Sequence, residues 1–484
     1  MTDLGHAPDH AVVVGGGIAG LTAAYRLTLA GSHVTLVEPD RLGGKIHTSV
    51  FAGRPIDEGA DAFLLRVPWA LALCHDLEID GELISPVGRA AEVFVDDVRH
   101  PMPSGHVMGV PTDLDALTAS GLLSSEGLAR VAAEEVLPAR PGDPLLVGPD
   151  HDVAIGPYLR GRLGDEVVDH LIDPLIGGIN AGNTADLSLA TVVPQLDAAA
   201  RSGEPSLIRA CRQQRARALA APGANPDAPV FATPIGGMSR LVDALVALMP
   251  ALDVRLGRRV DALVPHADEG GVTVVLDDGS SLSADAVVVA CPAPAAATLL
   301  RPLVGHAADH LSSLGLASVT MATLAFDQAD LRPDPTVSGC LVPRDQGTLA
   351  TAISYGTSKW AQWQDPDRGD TILRVSAGRS DDRRHLDLDD IDLLAALADD
   401  LGRILGVTGA PTEVRVTRWF EGLPQYAPGH LDRMAELRTS LAHRPIALAG
   451  AFLGGVGVPA CIRSGELAAA QLGATWRTRR ELQG

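Results

Sequence analysis

The chain has 484 residues, of which 46% are hydrophobic and 20% charged, and it carries a formal net charge of −21 at pH 7. The length exceeds the roughly 250–300 residues at which a single core stops growing, so we expect two or three domains, and the negative charge argues against nucleic acid as a partner. The chain has neither an apolar run of the roughly 18 residues of a membrane helix nor an N-terminal secretory signal, so we expect a cytoplasmic protein without a transmembrane segment, at most peripheral to a membrane.

The N-terminal segment predicts a strand–helix–strand unit around a glycine cluster. Ala11–Val14 is an apolar strand, Ile18–Ala30 a helix and Val34–Val37 a second strand. Two strands joined by a helix over so short a stretch make a βαβ unit, whose crossover is right-handed.

The glycines of this unit indicate a dinucleotide site. Gly15, Gly17 and Gly20 form the pattern G-x-G-x-x-G directly after the first strand. The first glycine permits a tight turn, the second lets the backbone approach a pyrophosphate, and the third lets helix and strand pack closely. The phosphates then lie at the positive end of the helix, and Glu38, at the end of the second strand, can accept hydrogen bonds from ribose hydroxyls.

Two further segments favour FAD over NAD. Arg41–Lys45 reads RLGGK, and its glycine pair lets the chain cross the far side of a longer cofactor; a plain β-turn is the alternative. Ala449–Leu472 reads as strand, glycine turn and helix, and the helix N-terminus can stabilise negative charge on a reduced flavin. By analogy with other flavoproteins, the first and last segments hold opposite ends of one FAD.

The middle of the chain alternates helical and extended patterns. Val110–Gly164 predicts helices, and Ala200–Pro229 predicts a helix end followed by an exposed loop whose arginines form a solvated face. Apolar and alternating runs predict strands and one acidic amphipathic helix further along the chain. The strands are expected within Val254–Ala290 and over Ser318–Phe326, Thr371–Ala377 and Ile446–Ala449, and the helix over Leu386–Leu405.

Several of these segments resemble a known family. The glycine motif, Glu38, RLGGK, DEGADAFL (57–64) and GVGVPACIRSG (455–465) are similar to flavin oxidases related to amine oxidases and phytoene desaturases. Tyr158–Leu189, Thr233–Leu245 and Thr417–His430 resemble the protoporphyrinogen and coproporphyrinogen oxidases of the bacterial haem pathway, over nearly the whole chain. The pattern departs at Ala60, where the family commonly has proline, and at Ala451, where it often has asparagine or serine.

The resemblance implies an α/β fold with a Rossmann-like, glutathione-reductase-like FAD-binding domain, a mixed α/β substrate domain and a helical insert. The FAD-binding domain is expected in three parts, residues 1–90, 206–300 and 416–484. The helical insert of the substrate region is expected over residues 91–205 and the substrate domain over residues 301–415.

The resemblance also implies an oxygen-dependent oxidoreductase that removes six hydrogens from coproporphyrinogen III and yields coproporphyrin III and H2O2, with hand-over of the product to a ferrochelatase. Coproporphyrinogen III is favoured because the motifs resemble the soluble enzymes of Gram-positive bacteria. Three alternatives stay open: protoporphyrinogen IX as substrate, another reaction of the amine oxidase or phytoene desaturase type, and a non-catalytic flavin-binding partner protein.

The resemblance assigns FAD contacts to residues in several separate segments of the chain. They are Gly15, Gly16, Gly17, Ile18, Ala19, Gly20, Glu38, Arg41, Gly43, Gly44, Lys45, Gly59, Ala60, Asp61, Ala62, Val260, Trp419, Val456, Gly457 and Val458. Trp419 and Tyr426 either shape the flavin and substrate face or belong to the core.

The substrate is large, flat and acidic, so it needs an apolar slot with basic groups at the rim. Arg66 is the expected carboxylate contact, with an exposed arginine beside Trp69 as the alternative. Ile179 and Asn180 are expected to line the slot, with a structural turn as the alternative for Asn180. No catalytic residue is identified, because the flavin carries the hydride transfer.

Two histidines and the cysteines complete the candidates. His170 and His430 are possible proton acceptors by chemistry, although isolated histidines are usually structural or exposed. The five cysteines are scattered without a CxxC pair, so neither disulfides nor a metal site is expected.

Overall fold

A computed structural model describes residues 7–136, 151–221, 225, 227–266, 270–331 and 336–483. Within these ranges the strands form six sheets, of which one parallel sheet and one large mixed sheet carry the architecture. No helix in the described part of the chain combines the length and the apolar character needed to cross a bilayer.

The parallel sheet combines strands from the N-terminal, middle and C-terminal parts of the chain. Its five strands lie in the order Asp253–Leu256, His33–Glu38, His10–Val14, Ala286–Val289 and Ile446–Leu448. Ala11, Val12 and Val13 are fully buried, because helices cover one face while helices and a small three-stranded sheet cover the other. A strand buried on both faces needs a continuous apolar sequence, which explains why these strands could be predicted from the sequence.

The large sheet forms a second layer with its own core. Its seven strands lie in the order Glu413–Gln425, Gly315–Asp327, Asp370–Ala377, Ala350–Tyr355, Val337–Leu341, Ala90–Val95 and Val98–Pro101. Helix Asp390–Leu405 buries Leu393, Leu397 and Leu401 in the core beside this sheet. Asp389 caps the helix by accepting hydrogen bonds from two amides of its first turn, so the helix starts later than the predicted Leu386.

The remaining strands form four small sheets, and a helical region packs around a separate apolar core. The small sheets consist of His106–Val107 with Val110–Pro111, of Phe63–Leu64, Phe231–Pro234 and Leu83–Ile84, of Val260–Pro265, Val272–Leu276 and Ser281–Ala284, and of Thr48–Phe51 with Arg54–Asp57. The other helices are Ile18–Leu29, Pro68–Asp76, Leu114–Ser120, Ser125–Glu134, Ile155–Leu163, Asp165–Val167, Val168–Ile172 (a π-helix), Asp173–Asn180, Leu189–Val192, Pro194–Ala200, Leu207–Ala220, Ser239–Ala247, Ala293–Val304, Asp309–Ser312, Gly356–Lys359, His430–Leu441 and Val458–Gln483.

The predicted α/β fold class is confirmed, and two of the predicted domain boundaries fall inside strands. The segment 91–205 begins inside a strand of the large sheet, and the expected boundary at residue 415 falls within strand Glu413–Gln425. Residues 137–150 of the predicted helical segment lie outside the described residues.

The segment Ala200–Pro229 also differs from the expected helix end and loop, because Leu207–Ala220 is a helix of 14 residues. The Ser206 side chain caps this helix by accepting from the Arg209 amide, and Leu207, Ile208 and Cys211 are buried. Residues 222–224 and 226 of the expected loop lie outside the described residues.

We expect Gly465→Ala to lower the free energy of unfolding by about 1–3 kcal/mol, the usual cost of overpacking. A Cβ at Gly465 would lie 2.3 Å from the carbonyl oxygen of Ala19, where helix Val458–Gln483 packs against helix Ile18–Leu29. The matched control is Gly402→Ala in helix Asp390–Leu405, where the nearest atom would be 3.6 Å away. This control should stabilise the protein by up to about 1 kcal/mol. Urea unfolding measures both changes, and a Gly465→Ala protein as stable as wild type would contradict the close packing of the two helices.

Candidate active site

The three glycines of the G-x-G-x-x-G pattern lie at the start of helix Ile18–Leu29. Two of them are tightly packed, and the third faces open space. A Cβ at Gly15 would lie 2.8 Å from the Ala290 oxygen, and one at Gly20 would lie 2.0 Å from the Gly15 oxygen. A Cβ at Gly17 would have no described atom within 4 Å. Gly17 is the N-cap residue, and no described side chain caps the helix, so its positive end faces this space. A pyrophosphate requires such a surface.

Glu38 lies beside this turn and is held by the backbone. Its Oε2 accepts a hydrogen bond from the Gly16 amide at 2.7 Å, and its Oε1 accepts one from the Asp40 amide at 2.9 Å. A carboxylate offers about four lone-pair sites, so acceptor capacity is left for ribose hydroxyls. The geometry fits the role that the sequence predicts for Glu38.

The RLGGK loop packs directly on the first glycine turn. The Gly43 amide donates to the Gly16 oxygen at 2.8 Å, and a Cβ at Gly44 would lie 3.3 Å from the Gly17 Cα. Arg41 donates to the Gly44 oxygen at 2.7 Å, and its guanidinium lies 5.7 Å from the ring centre of Trp419. The two glycine clusters predicted separately from the sequence therefore form one surface.

Lys45 lies in a cleft between this loop and the C-terminal helix. Burial lowers the pKa of Lys45, and the Cys461 thiol is close enough to influence that pKa. Burial also raises the pKa of Cys461 to about 11, although Lys45 lowers it. A Cβ at Gly422 would lie 3.2 Å from the Lys45 Cε, so the end of the exposed lysine side chain lies against strand Glu413–Gln425.

The loop at residues 59–62 joins this cleft to the large sheet. A Cβ at Gly59 would lie 2.2 Å from the Lys45 oxygen and 3.2 Å from the Trp419 ring. The Trp419 Nε1 donates to the Glu58 oxygen at 3.2 Å. Close packing therefore places the backbone of Gly59 and the Trp419 ring at the same wall as Lys45.

The Asp61 carboxylate connects the loop at residues 59–62 to residues of the large sheet and its neighbouring helix. Its Oδ2 accepts from Lys359 Nζ at 2.8 Å and lies 3.4 Å from Arg374 Nη1. Burial alone would raise the pKa of Asp61, but Lys359 and Arg374 hold it well below its usual range. The Asp61 side chain is committed to these two cations, which sequence reasoning missed, and the predicted cofactor contact of Asp61 stays a prediction that its backbone would have to fulfil. Lys359 is one of two lysines in the chain, and that rarity is the one signal that could have marked it.

The remaining predicted cofactor contacts come from three places in the chain. Val260 begins strand Val260–Pro265 and packs beside the core on the far face of the parallel sheet. Val456, Gly457 and Val458 form the turn into helix Val458–Gln483. The hydroxyl of the buried Tyr426 donates to the Ala451 oxygen at 2.5 Å, so Tyr426 supports this end of the site from within the core. Ala60 and Ala62 are half-buried in the loop after Gly59.

The residues predicted to bind substrate differ in their surroundings. Arg66 is exposed, and Ile179 has 55% of its surface exposed at the end of helix Asp173–Asn180. Asn180 is buried, and its Nδ2 donates to the Ile176 oxygen at 2.8 Å while its carbonyl accepts from Gln425. The Asn180 side chain therefore holds the end of the helix, and Ile179 is the residue that faces outward.

Neither histidine is placed as a free base. His430 is 1% exposed and stacks on Tyr426, with ring centres 4.8 Å apart, and burial lowers its pKa to about 4. His170 lies 3.5 Å from the Asp345 carboxylate, outside the cleft residues described above. No group of three metal-ligating side chains occurs among the described residues.

Comparison with known proteins gives matches along most of the chain. The family model for flavin containing amine oxidoreductases matches residues 18–473. The chain is 37% identical to the coproporphyrinogen III oxidase of Mycobacterium tuberculosis (strain H37Rv) over 460 residues, which are 94% of this chain and 95% of that protein. It is 34% identical to the coproporphyrinogen III oxidase of Bacillus subtilis (strain 168), over 95% of this chain and 97% of that protein. It is 27% identical to protoporphyrinogen oxidase 1 of Spinacia oleracea, over 95% of this chain and 83% of that protein.

Solved structures agree with these matches. A protein from Exiguobacterium sp. 255-15, provisionally described as a protoporphyrinogen oxidase, shares 31% identity with a TM-score of 0.83, over 97% of this chain and all of that one. The cyclohexylamine oxidase of Brevibacterium oxydans has a TM-score of 0.67 at 17% identity, over 98% of this chain and all of that one. The second similarity concerns the fold alone.

We expect Gly17→Ala to weaken FAD binding by about tenfold or more, because the added methyl group occupies the space at the helix end where the pyrophosphate would lie. The free energy of unfolding of the protein without cofactor should fall by no more than about 1 kcal/mol, the cost of alanine at an N-cap. Titration of the apoprotein with FAD, followed by flavin fluorescence, measures the affinity. The matched control is Gly81→Ala, which also points into open space and should bind FAD as wild type does. Wild-type affinity of the Gly17→Ala protein would place the pyrophosphate elsewhere.

Proposed function

Because the chain belongs to the family of flavin-containing amine oxidoreductases, we propose that it is an FAD-dependent oxidase that converts coproporphyrinogen III to coproporphyrin III in haem biosynthesis. The predicted resemblance and the predicted flavin cofactor are confirmed by the family match and by the relatives. The observation that carries the choice of reaction is the nearly full-length identity to two coproporphyrinogen III oxidases. Protoporphyrinogen IX is the second candidate substrate, because the chain is also similar to a protoporphyrinogen oxidase.

The residues of the cleft fit FAD. The open space at Gly17 suits the pyrophosphate, Glu38 suits a ribose, and Lys45, Gly59 and Trp419 form a wall for the ring system. When bound, the flavin supplies the two-electron chemistry, which is acceptance of a hydride from the macrocycle and its delivery to O2 as H2O2. The overall balance is coproporphyrinogen III plus three O2 to coproporphyrin III plus three H2O2.

The protein supplies position, charge and exclusion of water. The carboxylates nearest the cleft are committed, since Asp61 pairs with Lys359 and Glu58 accepts from Ser49 and Thr417. Lys45 keeps a positive charge at the cleft, and the N-terminus of helix Val458–Gln483 stabilises negative charge there. Neither Asp61 nor Glu58 is therefore free to act as a base at the cleft.

Several finer assignments belong to the same proposal. They are the domain boundaries at residues 90, 205, 300 and 415, the cofactor contacts named from the sequence, and substrate contact by Arg66, Ile179 and Asn180. Product hand-over to a ferrochelatase and peripheral attachment to a membrane are also proposed. The exposed position of Ile179 supports a role in lining the slot, whereas the side-chain amide and the backbone carbonyl of Asn180 both already have partners within the fold.

We expect anaerobic mixing of the holoenzyme with coproporphyrinogen III to bleach the visible flavin absorbance. In air, porphyrin fluorescence should rise, with three H2O2 for each porphyrin because six hydrogens leave in pairs. The value of kcat/KM should be higher for coproporphyrinogen III than for protoporphyrinogen IX. Bleaching by amines and by neither porphyrinogen would instead identify an amine oxidase, and a flavin that no donor bleaches would indicate a non-catalytic binding protein.

A further inference from the structure

Among the described arginines without an ion pair or side-chain hydrogen bond, Arg66 and Arg215 stand out because both lie near the same histidine, His106. The protein has 60 aspartates and glutamates against 39 lysines and arginines, and many of its arginines form short ion pairs, such as Arg209 with Glu204 and Arg212 with Glu135. Arg66 and Arg215 are exposed, and within the described residues neither forms an ion pair or hydrogen bond. Their guanidinium groups are therefore available to a ligand.

His106 lies near both of these arginines. Its Nδ1 accepts a hydrogen bond from the Gly109 amide at 3.1 Å, so in the neutral ring the proton is on Nε2, which is a donor. Burial lowers the pKa of His106, and the positive charges of Arg66 and Arg215 lower it further. Donors from three separate chain segments therefore meet at the His106 ring, which lies close enough to each arginine to be affected by its charge.

The fold holds these segments beside the proposed substrate slot. Leu64 pairs with Phe231 and the Leu65 amide donates to the Val230 oxygen at 2.8 Å, which fixes the backbone before Arg66. This strand follows directly on the loop 59–62 that forms one wall of the cleft.

The other two donors approach from the helical region. Helix Leu207–Ala220 is joined to the segment after the His106 hairpin by a hydrogen bond from Arg212 Nε to the Thr112 oxygen at 3.0 Å. A Cβ at Gly109 would lie 2.9 Å from the Ile172 side chain, so the hairpin rests on the helical segment that continues to Ile179. With a rise of about 1.5 Å per residue, Ile179 lies about 10 Å further along that segment.

We propose that Arg66, His106 and Arg215 form a binding site for propionate carboxylates of the porphyrinogen at the rim of the slot. This inference rests on the proposed function, which supplies a flat substrate with acidic side chains. Guanidinium groups bind carboxylates through paired N–H donors, and the neutral His106 ring offers a further donor at Nε2. The net charge of −21 does not prevent this binding, because repulsion from distant charges is screened beyond about 8–10 Å at cellular salt.

The test measures equilibrium binding of coproporphyrin III and of its tetramethyl ester, in which the carboxylates are uncharged, to the holoenzyme. The variants are Arg66→Gln, Arg215→Gln, His106→Gln and the double arginine variant. The matched control is Arg217→Gln, an exposed arginine on the same helix whose position two residues on points it away from Arg215. Porphyrin fluorescence gives the dissociation constants, at low and at high salt.

Each arginine substitution should raise the dissociation constant for coproporphyrin III by about tenfold, the usual effect of losing a charge-assisted hydrogen bond. Binding of the ester should change less than twofold in the same variants, by the same reasoning. High salt should weaken acid binding in wild type more than in the double variant. His106→Gln should weaken acid binding less than either arginine change, and Arg217→Gln should bind like wild type.

Two results would overturn the site. If the double variant binds the acid as tightly as wild type does, these residues do not recognise the carboxylates. If the variants lose affinity for the acid and for the ester equally, the substitutions act on the slot itself. Oxidation of coproporphyrinogen III by wild type is measured in parallel. Turnover by wild type together with either of these results rejects the carboxylate site and keeps the proposed function, whereas charge-dependent binding without turnover rejects the function and keeps the site.

Discussion

The cleft depends on close backbone contacts around one helical turn that only glycine permits. Gly20 packs against the Gly15 oxygen, Gly44 against Gly17 and Gly465 against the Ala19 oxygen. The first contact closes the turn between strand His10–Val14 and helix Ile18–Leu29, and the other two join the RLGGK loop and the C-terminal helix to that turn. A side chain at any of these positions would push two segments apart, so these contacts make the N-terminal and C-terminal parts of the chain into a single binding surface.

Buried ion pairs then fix this surface to the large sheet. Arg374 donates to the Gly59 oxygen at 2.6 Å and lies beside Asp61, whose other partner is Lys359. Removing one member of such a group leaves a buried charge without compensation, so the loop and the sheet hold one another in a defined position. These ion pairs also engage the Asp61 carboxylate, so its contribution is to hold the loop in position rather than to accept a proton.

Local patterns were predictable, whereas partners across the fold were not. The strand His10–Val14, the glycine turn and the position of Glu38 follow from a continuous apolar run and from motif spacing, and the structure has them within a residue of the expectation. Strand Ala350–Tyr355 escaped prediction because it is short and carries polar residues. The cations around Asp61 were not predictable, since nothing in the local sequence reveals that Lys359 and Arg374 lie against it.

The positions of the arginines relative to the acidic residues indicate where this chain can bind an anion, whereas the number of arginines does not. A protein with a net charge of −21 repels a polyanion at long range. An arginine that is paired with a carboxylate does little to offset this repulsion, because the two opposite charges nearly cancel at a distance. A surface that attracts carboxylates must therefore be made by keeping arginines apart from acids, which leaves like charges facing one another at some cost in stability. The neighbourhood of Arg66, His106 and Arg215 has this character. It stands beside the strand that leads out of the cofactor loop, so the fold brings the unpaired charge to the place where an acidic macrocycle would enter.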